Sequence, residues 1–242
     1  MGIIRTRECF FIGSTKSTSV GLNVESLQPP AMASQRYTQW SNGKDVDFVS
    51  NDDTFDDVQY DIEARLLRAP DKYDSADVYA LFANARTLSL SVIPGYYYKI
   101  HKVLSITPSA DSAYRGNEIR YLISLQLAPF KYHIDNTEQT ITGGTITNPG
   151  TRYSRPVYKI TGRTSGNTTT KLTVNGQQLT LSELTDASTT IYIDTERMLI
   201  YDQANTNLME KSSGILPFLA PGVNTASVTA GTLSITGNWR SY

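Results

Sequence analysis

Two pairs of carboxylates and one acidic run are the residues whose types and spacing could do chemistry. Asp61 and Glu63 stand two apart on one strand face, and Asp194 and Glu196 stand two apart in a turn. Held at a suitable separation in a cleft, such pairs hydrolyse glycosides, one acting as acid and the other as base or nucleophile. The simpler reading of both pairs is that they face solvent. The densest cluster, Asn51-Asp52-Asp53-Thr54-Phe55-Asp56-Asp57, offers the oxygen donors that hard cations gather at a bend. It lacks the glycine and distal Glu of an EF-hand. It reads as a solvated loop (51–57) ahead of a strand starting at Val58, with a weak cation site as the alternative.

Other reactive groups are scarce. His101 and His133 are the two histidines, and both read as ordinary strand or loop residues. The single cysteine, Cys9, excludes an internal disulfide and a multi-cysteine zinc site, and reads as a small buried hydrophobe beside Phe10-Phe11. Nucleophile-elbow, phosphate-loop and zincin motifs are missing, and Gly143-Gly144 has no lysine or helix after it and reads as a turn. No catalytic, cofactor-binding or metal-binding residue is therefore assigned: the expectation is a protein that is not an enzyme. Met1-Gly2 to Thr6 formally fits a myristoylation pattern and Asn167-Thr168-Thr169 a glycosylation sequon, but neither carries weight.

Aromatics are more suggestive. Tyr96-Tyr97-Tyr98 follows Pro94-Gly95, and in a strand two of these rings share one face while the third takes the other. Core packing explains them simply. An exposed tyrosine would instead anchor a protein interface or stack on a sugar.

These residues sit on a chain of 242 residues with 22 Lys+Arg, 23 Asp+Glu and a net charge of −1. So balanced a chain lacks the basic surplus of a dedicated nucleic-acid binder or of a polybasic membrane patch. No apolar run is long enough to span a membrane, and the first residues lack signal-peptide features. Period-2 alternation dominates. Val58, Tyr60, Ile62, Ala64 and Leu66 point one way and Gln59, Asp61, Glu63 and Arg65 the other; Ile119 to Leu127 repeats the pattern. Shorter runs at Leu88–Val92, Leu172–Val174, Ile191–Ile193 and Leu233–Ile235 do the same. Only Ser75–Arg86 changes period: Val78, Leu81, Phe82 and Ala85 build one helical stripe of about three turns, capped by Asp74 or Ser75, with Arg86 at its negative end. Asn175-Gly176 is a strong two-residue hairpin signal and Asn42-Gly43 a weaker one. Asp194–Arg197 reads as a further turn. A shift to Thr, Gly and Asn after Tyr132 places a boundary near residues 129–140, giving domains 1–134 and 135–242, mainly β, with the helix in the first.

The ordered run of these elements resembles the distal tail protein (Dit) family of long, flexible-tailed bacteriophages, across most of the chain. Phe10-Phe11-Ile12-Gly13 and Val20-Gly21-Leu22 are similar to the family's opening hairpin. The helix, Pro94-Gly95-Tyr96-Tyr97-Tyr98-Lys99 and Ala128-Pro129-Phe130-Lys131-Tyr132 follow in the family's order, with Ala128 in place of an acidic residue. Asn148-Pro149-Gly150, Ser154-Arg155-Pro156, Val174-Asn175-Gly176 and Tyr192-Ile193-Asp194-Thr195-Glu196 come next. Leu216 to Thr225 resembles the family's Pro-rich signature through Pro217, Pro221, Gly222 and Asn224. Asn238-Trp239-Arg240 is similar to its terminus, with Asn238 where the family has proline.

The resemblance implies two β-sandwich domains: a ring-forming one with a helix and a hairpin, and a galectin-like or carbohydrate-module-like one. It implies a structural virion protein, a hexameric ring at the distal end of the tail tube, its rings possible to stack. Its partners would be further copies of itself, the tail tube protein, the tail-tip protein and a receptor-binding protein or cell-wall glycan; nucleic acid and membrane are not among them. The competing reading is a carbohydrate-binding module that recognises host cell-surface glycan. The family-motif residues Gly13, Pro129, Phe130, Gly150, Asn175, Gly176, Pro217, Pro221, Gly222, Asn224, Trp239 and Arg240 read as fold-keeping, and Tyr96, Tyr97 and Tyr98 as candidate interface.

Overall fold

The computed structural model of the chain describes residues 8–24, 26–41, 47–67, 74–108, 118–163, 168–184, 186 and 188–242. The expected turn at Asn42-Gly43, the segment Met1-Gly2 and the sequon residue Asn167 lie outside the described residues. The fold is mainly β, and it divides into two compact units, Met1–Tyr132 with Tyr242, and His133–Ser241.

In the first unit β1 (Phe10–Ile12) and β2 (Thr15–Lys16) form a hairpin whose turn places Gly13 at φ 59°. β3 (Leu22–Val24) follows, then β4 (Gln35–Ser41) and β5 (Asp47–Phe55), which form a two-stranded sheet of their own among the described residues. β6 (Val58–Leu67), helix α1 (Ser75–Ala83), β7 (Thr87–Leu90), β8 (Tyr96–Pro108) and β9 (Glu118–His133) complete the unit. The main sheet runs β2-β1-β7-β8-β9-β6-β3. Its strands from both ends contribute to one core, with Phe10, Leu22, Ile62, Leu88, Ile123 and Leu125 all buried, so the sheet curls around its own apolar face.

The alternation seen in the sequence explains β6: Tyr60, Ile62, Ala64 and Leu66 are buried, while Asp61 and Glu63 are exposed. β6 pairs with β9 along its whole length, setting Tyr60 opposite Leu125 and Ile62 opposite Ile123. β9 runs on past Leu127 to His133, and there Ala128, Phe130 and Tyr132 are buried too. The strand's wet face becomes covered because Phe130 meets Phe55 edge-on at 5.1 Å and Tyr242 at 5.9 Å.

Asp74 caps α1. Its Oδ1 accepts from the Ala76 and Asp77 amides, and the Asp77 carboxylate accepts from the Asp74 amide, a reciprocal box contributing about 1 kcal/mol. Val78 and Phe82 are the buried stripe, with Phe82 6.0 Å from Phe10. The helix ends at Ala83, not Arg86. The Arg86 carbonyl accepts from the Ile100 amide at 2.8 Å, so the chain is already drawn toward the β7–β8 ladder and Arg86 is not at the helix's negative end. β7 likewise stops at Leu90, leaving Val92 in the turn that Pro94 and Gly95 need. The acidic segment is corrected in part: Asn51–Phe55 lies in β5, where Asn51 pairs with Tyr37 and Phe55 with Gln35 across a register shift, while Asp56-Asp57 connect β5 to β6. Cys9 is buried, as its apolar neighbours suggest.

A core hydroxyl gives this unit a pH limit. Tyr60 donates to the Gln28 carbonyl at 2.6 Å, and burial first, then the neighbouring Tyr98 and Glu8, push its pKa up to about 12. The folded state therefore holds this proton more tightly than the unfolded chain, whose tyrosines titrate near 10. The stability it contributes is complete below about pH 10 and is lost as pH rises toward about 12. Thermal melts at pH 9 and 11 should show a smaller alkaline drop in Tyr60→Phe than in the parent chain. Equal drops would refute the assignment.

The second unit is built from β10 (Gln139–Thr140), β11 (Thr145–Asn148), β12 (Val157–Thr161), β13 (Thr170–Val174), β14 (Gln177–Leu181), β15 (Ile191–Asp194), β16 (Leu199–Asp202), β17 (Ser212–Gly214), β18 (Gly222–Val228), β19 (Thr232–Thr236) and β20 (Arg240–Ser241). Two five-stranded sheets, β10-β19-β12-β15-β16 and β11-β18-β13-β14-β17, bury one core between them, a sandwich. Asn175 (φ 47°) and Gly176 (φ 81°) make the two-residue turn from β13 to β14. Asp194 does not face solvent. It is buried, and its Oδ1 accepts from the Glu196 and Arg197 amides, so the carboxylate closes the β15–β16 turn.

Candidate functional site

Most of the sequence-singled residues of the second unit meet around one connection, residues 215–221, which leaves β17 and enters β18. Pro217 and Pro221 deny it ladder donors, so it is held from the side. The buried Tyr158 hydroxyl donates to the Pro217 carbonyl at 3.2 Å, and burial raises the Tyr158 pKa. Ser154 and Leu219 exchange backbone hydrogen bonds at 2.8 and 3.2 Å. Gly222, at φ 84°, turns the chain into β18.

Asn224 closes this connection. Its amide donates to the Ala220 and Gly222 carbonyls, both at 2.8 Å, and its Oδ1 accepts from the Ala220 amide at 2.8 Å and from Asn175 Nδ2 at 2.6 Å. Asn175 Oδ1 in turn accepts from the Thr225 amide at 2.9 Å. The hairpin turn and the Pro-rich loop are thus bonded through two asparagine side chains. Asn148 does the same on the other side, donating to Arg152 and Leu219 carbonyls and accepting from the Gly150 amide. Gly150 lies so close to β20 that a Cβ there would stand 2.2 Å from the Arg240 carbonyl oxygen.

The terminal motif is packed on the same unit. Trp239 is buried in the core. The Arg240 guanidinium lies 4.5 Å from the Tyr153 ring centre, and its Nε donates to the Tyr153 carbonyl at 2.6 Å. Asn238 explains its own departure from proline: its φ of 48° is closed to a proline ring, its backbone amide donates to Asn136 Oδ1, and its side chain accepts from Asn136 Nδ2 and donates to the Arg155 carbonyl. Sequence reasoning places Asn148 in a motif without giving it a role, and passes over Gly237, where an added Cβ would stand in the Trp239 ring.

In the first unit the tyrosine triplet divides as the pleat requires. Tyr98 is buried in the core, which removes its ring from any exposed patch. Tyr97 stacks on Tyr132 at 5.5 Å, with the Lys99 ammonium 4.2 Å from the Tyr132 ring centre, and the Lys131 ammonium stands 5.0 Å from Tyr96. Tyr96 and Tyr97 remain half-exposed, and Pro129 sits half-buried in β9 beside Phe130.

Nothing among the described residues gathers into catalytic or metal-binding geometry. Asp56 pairs with Arg36, and Asp57 takes His101 Nδ1 at 2.8 Å and Gln126 at 2.9 Å, while no group of three or more ligating side chains converges. Asp61 and Glu63 point to solvent, Asp194 is used in its turn, and His133 bonds Ser241 Oγ at 3.1 Å. A depression of about 370 Å³ between α1 and the β1–β2 hairpin includes Asp77, already committed to the helix cap. No described helix is long and apolar enough to cross a membrane.

No protein-family model matches the sequence, and no curated protein matches it. Solved structures do. The crystal structure of the Dit protein (gp 19.1) of phage SPP1, a hub of the adsorption apparatus in phages infecting Gram-positive bacteria, matches with a TM-score of 0.68 at 13% identity, covering 95% of this chain and 98% of that one. A chain of the phage P2 baseplate, activated with calcium, matches at 0.50 with 9% identity, covering 95% and 97%. The same baseplate activated with strontium matches at 0.51 with 10% identity and the same coverage. The resemblance to Dit proteins read from ordered motifs is thus matched by a likeness of fold along nearly the whole chain.

Proposed function

We propose that this chain is a structural protein of a phage tail, a hub whose copies close into a ring at the distal end of the tail tube and join it to the tail tip. The observation that carries the reading is the end-to-end likeness to SPP1 Dit: both units are matched together, not one common sandwich alone. Six copies follow from the family resemblance. The first unit would form the ring and the second, galectin-like sandwich would project from it. Closure needs a heterologous contact, one patch of each copy on a different patch of the next. The half-exposed rings of Tyr96 and Tyr97 supply aromatic surface for it. A net charge of −1 suits a channel wall that passes DNA without retaining it.

Light scattering coupled to gel filtration should find a discrete species near six times the 26.8 kDa chain mass, and electron microscopy of that fraction should show rings. Single copies at every concentration, with and without the tail tube protein, would sink the proposal.

A further inference from the structure

β8 outruns its neighbour β7. The ladder between them ends at Thr87 opposite Lys99, and one further backbone bond, from the Ile100 amide to the Arg86 carbonyl, closes that side. The strand itself continues to Pro108. In a strand every second residue turns its N–H and C=O to the same edge, so Lys102, Leu104 and Ile106 follow Ile100. Among the described residues no backbone group meets them there. A free edge of this kind is a template for another strand.

The edge borders a groove. A depression of about 310 Å³ lies between it and α1, lined by the apolar Phe82, Ala85, Val103 and Ile106 and by the cations Arg86 and Lys102. Phe82 and Ala85 are buried, and both cations are exposed. No carboxylate lines the groove, and among the described residues neither Arg86 nor Lys102 has an ion-pair partner. His101, the third basic group there, is held by Asp57. Leu104, between Lys102 and Ile106 on β8, is 42% exposed, and Tyr79 on the helix side of the groove is 45% exposed.

We propose that this slot receives β5 of a second copy, laid beside β8 as an added strand. The slot selects an extended polypeptide, because a row of N–H and C=O groups is answered by another backbone. Its cations and apolar lining select an acidic strand that also carries apolar residues. β5 has both: Asp47, Asp52 and Asp53 with no basic residue, and Phe48, Val49 and Phe55. The other strands with an edge to offer do not. β2, β4 and β20 each carry a basic residue, and β3, β10, β11 and β17 carry no charge. β16 has one aspartate, but Thr206 and Leu208 already bond its outer side. β5 also gains from the contact. With β4 it forms a two-stranded sheet among the described residues, and such a pair is marginal in water until a third strand or a packed face joins it. Donor and acceptor are different surfaces, so the contact is heterologous, as closure of a ring requires. The inference rests on the ring reading and gives it a main-chain contact.

Light scattering of the parent chain sets the reference for the test. Arg86→Glu with Lys102→Glu, and separately Asp52→Lys with Asp53→Lys, should each leave single copies at concentrations where the parent is a ring, because like charges then face each other. All four substitutions in one chain should restore the ring. Melting temperatures equal to the parent's show that each variant keeps its fold. Hydrogen exchange reads the same contact in the unaltered protein, which keeps the site testable if a variant fails to fold: the Lys102, Leu104 and Ile106 amides should exchange at least about tenfold more slowly in the ring than in single copies. Parent rings that survive both charge reversals, a four-substitution chain that melts like the parent yet stays single, or equal exchange of the three amides in ring and single copies would overturn the proposal. A parent chain that forms no ring at all would remove the ring reading and this contact together, so the two failures are told apart by the parent's mass.

Discussion

Gly237→Ala should lower the melting temperature of the second unit by more than about 10 °C, an effect outsized for one added methyl. A Cβ at this position would lie 2.1 Å from Trp239 Cε2 and Cζ2 and 2.4 Å from Cδ2. Those are ring atoms of a rigid, 3% exposed indole at the edge of the sandwich core, not the end of a mobile side chain. The indole must leave its place or the backbone must move, and losing a buried tryptophan's packing costs about 3–5 kcal/mol. A double-mutant cycle makes the mechanism specific. Trp239→Ala should be destabilising by a similar amount, but adding Gly237→Ala to it should cost less than about 1 kcal/mol, because the ring that collides is gone. Additive losses in urea titrations would show that Gly237 matters for another reason.

This example marks where the sequence is readable. Strands β6, β7, β13, β15, β19 and the first part of β9 follow from period-2 alternation, and the helix start follows from Asp74 and the Val78–Phe82 stripe. Asn175-Gly176 fixes its hairpin because two successive left-handed residues are needed and these two types tolerate them. Each of those signals lies within a few neighbouring residues. The readings that changed depend on distant partners. Asn51–Phe55 looks like a polar loop until β4 ladders to it. The helix ends early because Arg86 is wanted by Ile100. Phe130 is buried on a face that is wet earlier in β9 because Phe55 and Tyr242 cover it. Asp194 has the spacing of a catalytic partner and the geometry of a turn cap. The family-motif residues were visible as types in order, while their work was not: Asn224 and Asn148 are hydrogen-bond hubs, which their place beside proline and glycine does not reveal.

The same reasoning makes Asn224→Asp a sharper probe than Asn224→Ala. The native amide is 1% exposed and uses both halves: two donated bonds to the Ala220 and Gly222 carbonyls, two accepted from the Ala220 amide and Asn175. Aspartate keeps the shape and the accepting oxygen but turns the donor into a second anionic oxygen facing two carbonyl oxygens. A buried charge left against acceptors costs more than a missing hydrogen bond, so the loss at pH 7 should be about 3 kcal/mol or more. The pH dependence identifies the cause. The folded state disfavours this carboxylate, so its pKa in the fold is raised above the unfolded value near 4. Folding then binds a proton, and the variant's stability is greatest below about pH 4 and is lost as pH rises through the raised folded value. Relative to the parent chain, the melting-temperature deficit of Asn224→Asp should shrink between pH 7 and pH 4, while that of Asn224→Ala should stay constant. A deficit for the aspartate variant that is the same at both pH values would mean that the loop opens to water around residue 224, and that the amide does not tie the Pro217–Pro221 connection to the hairpin turn at Asn175.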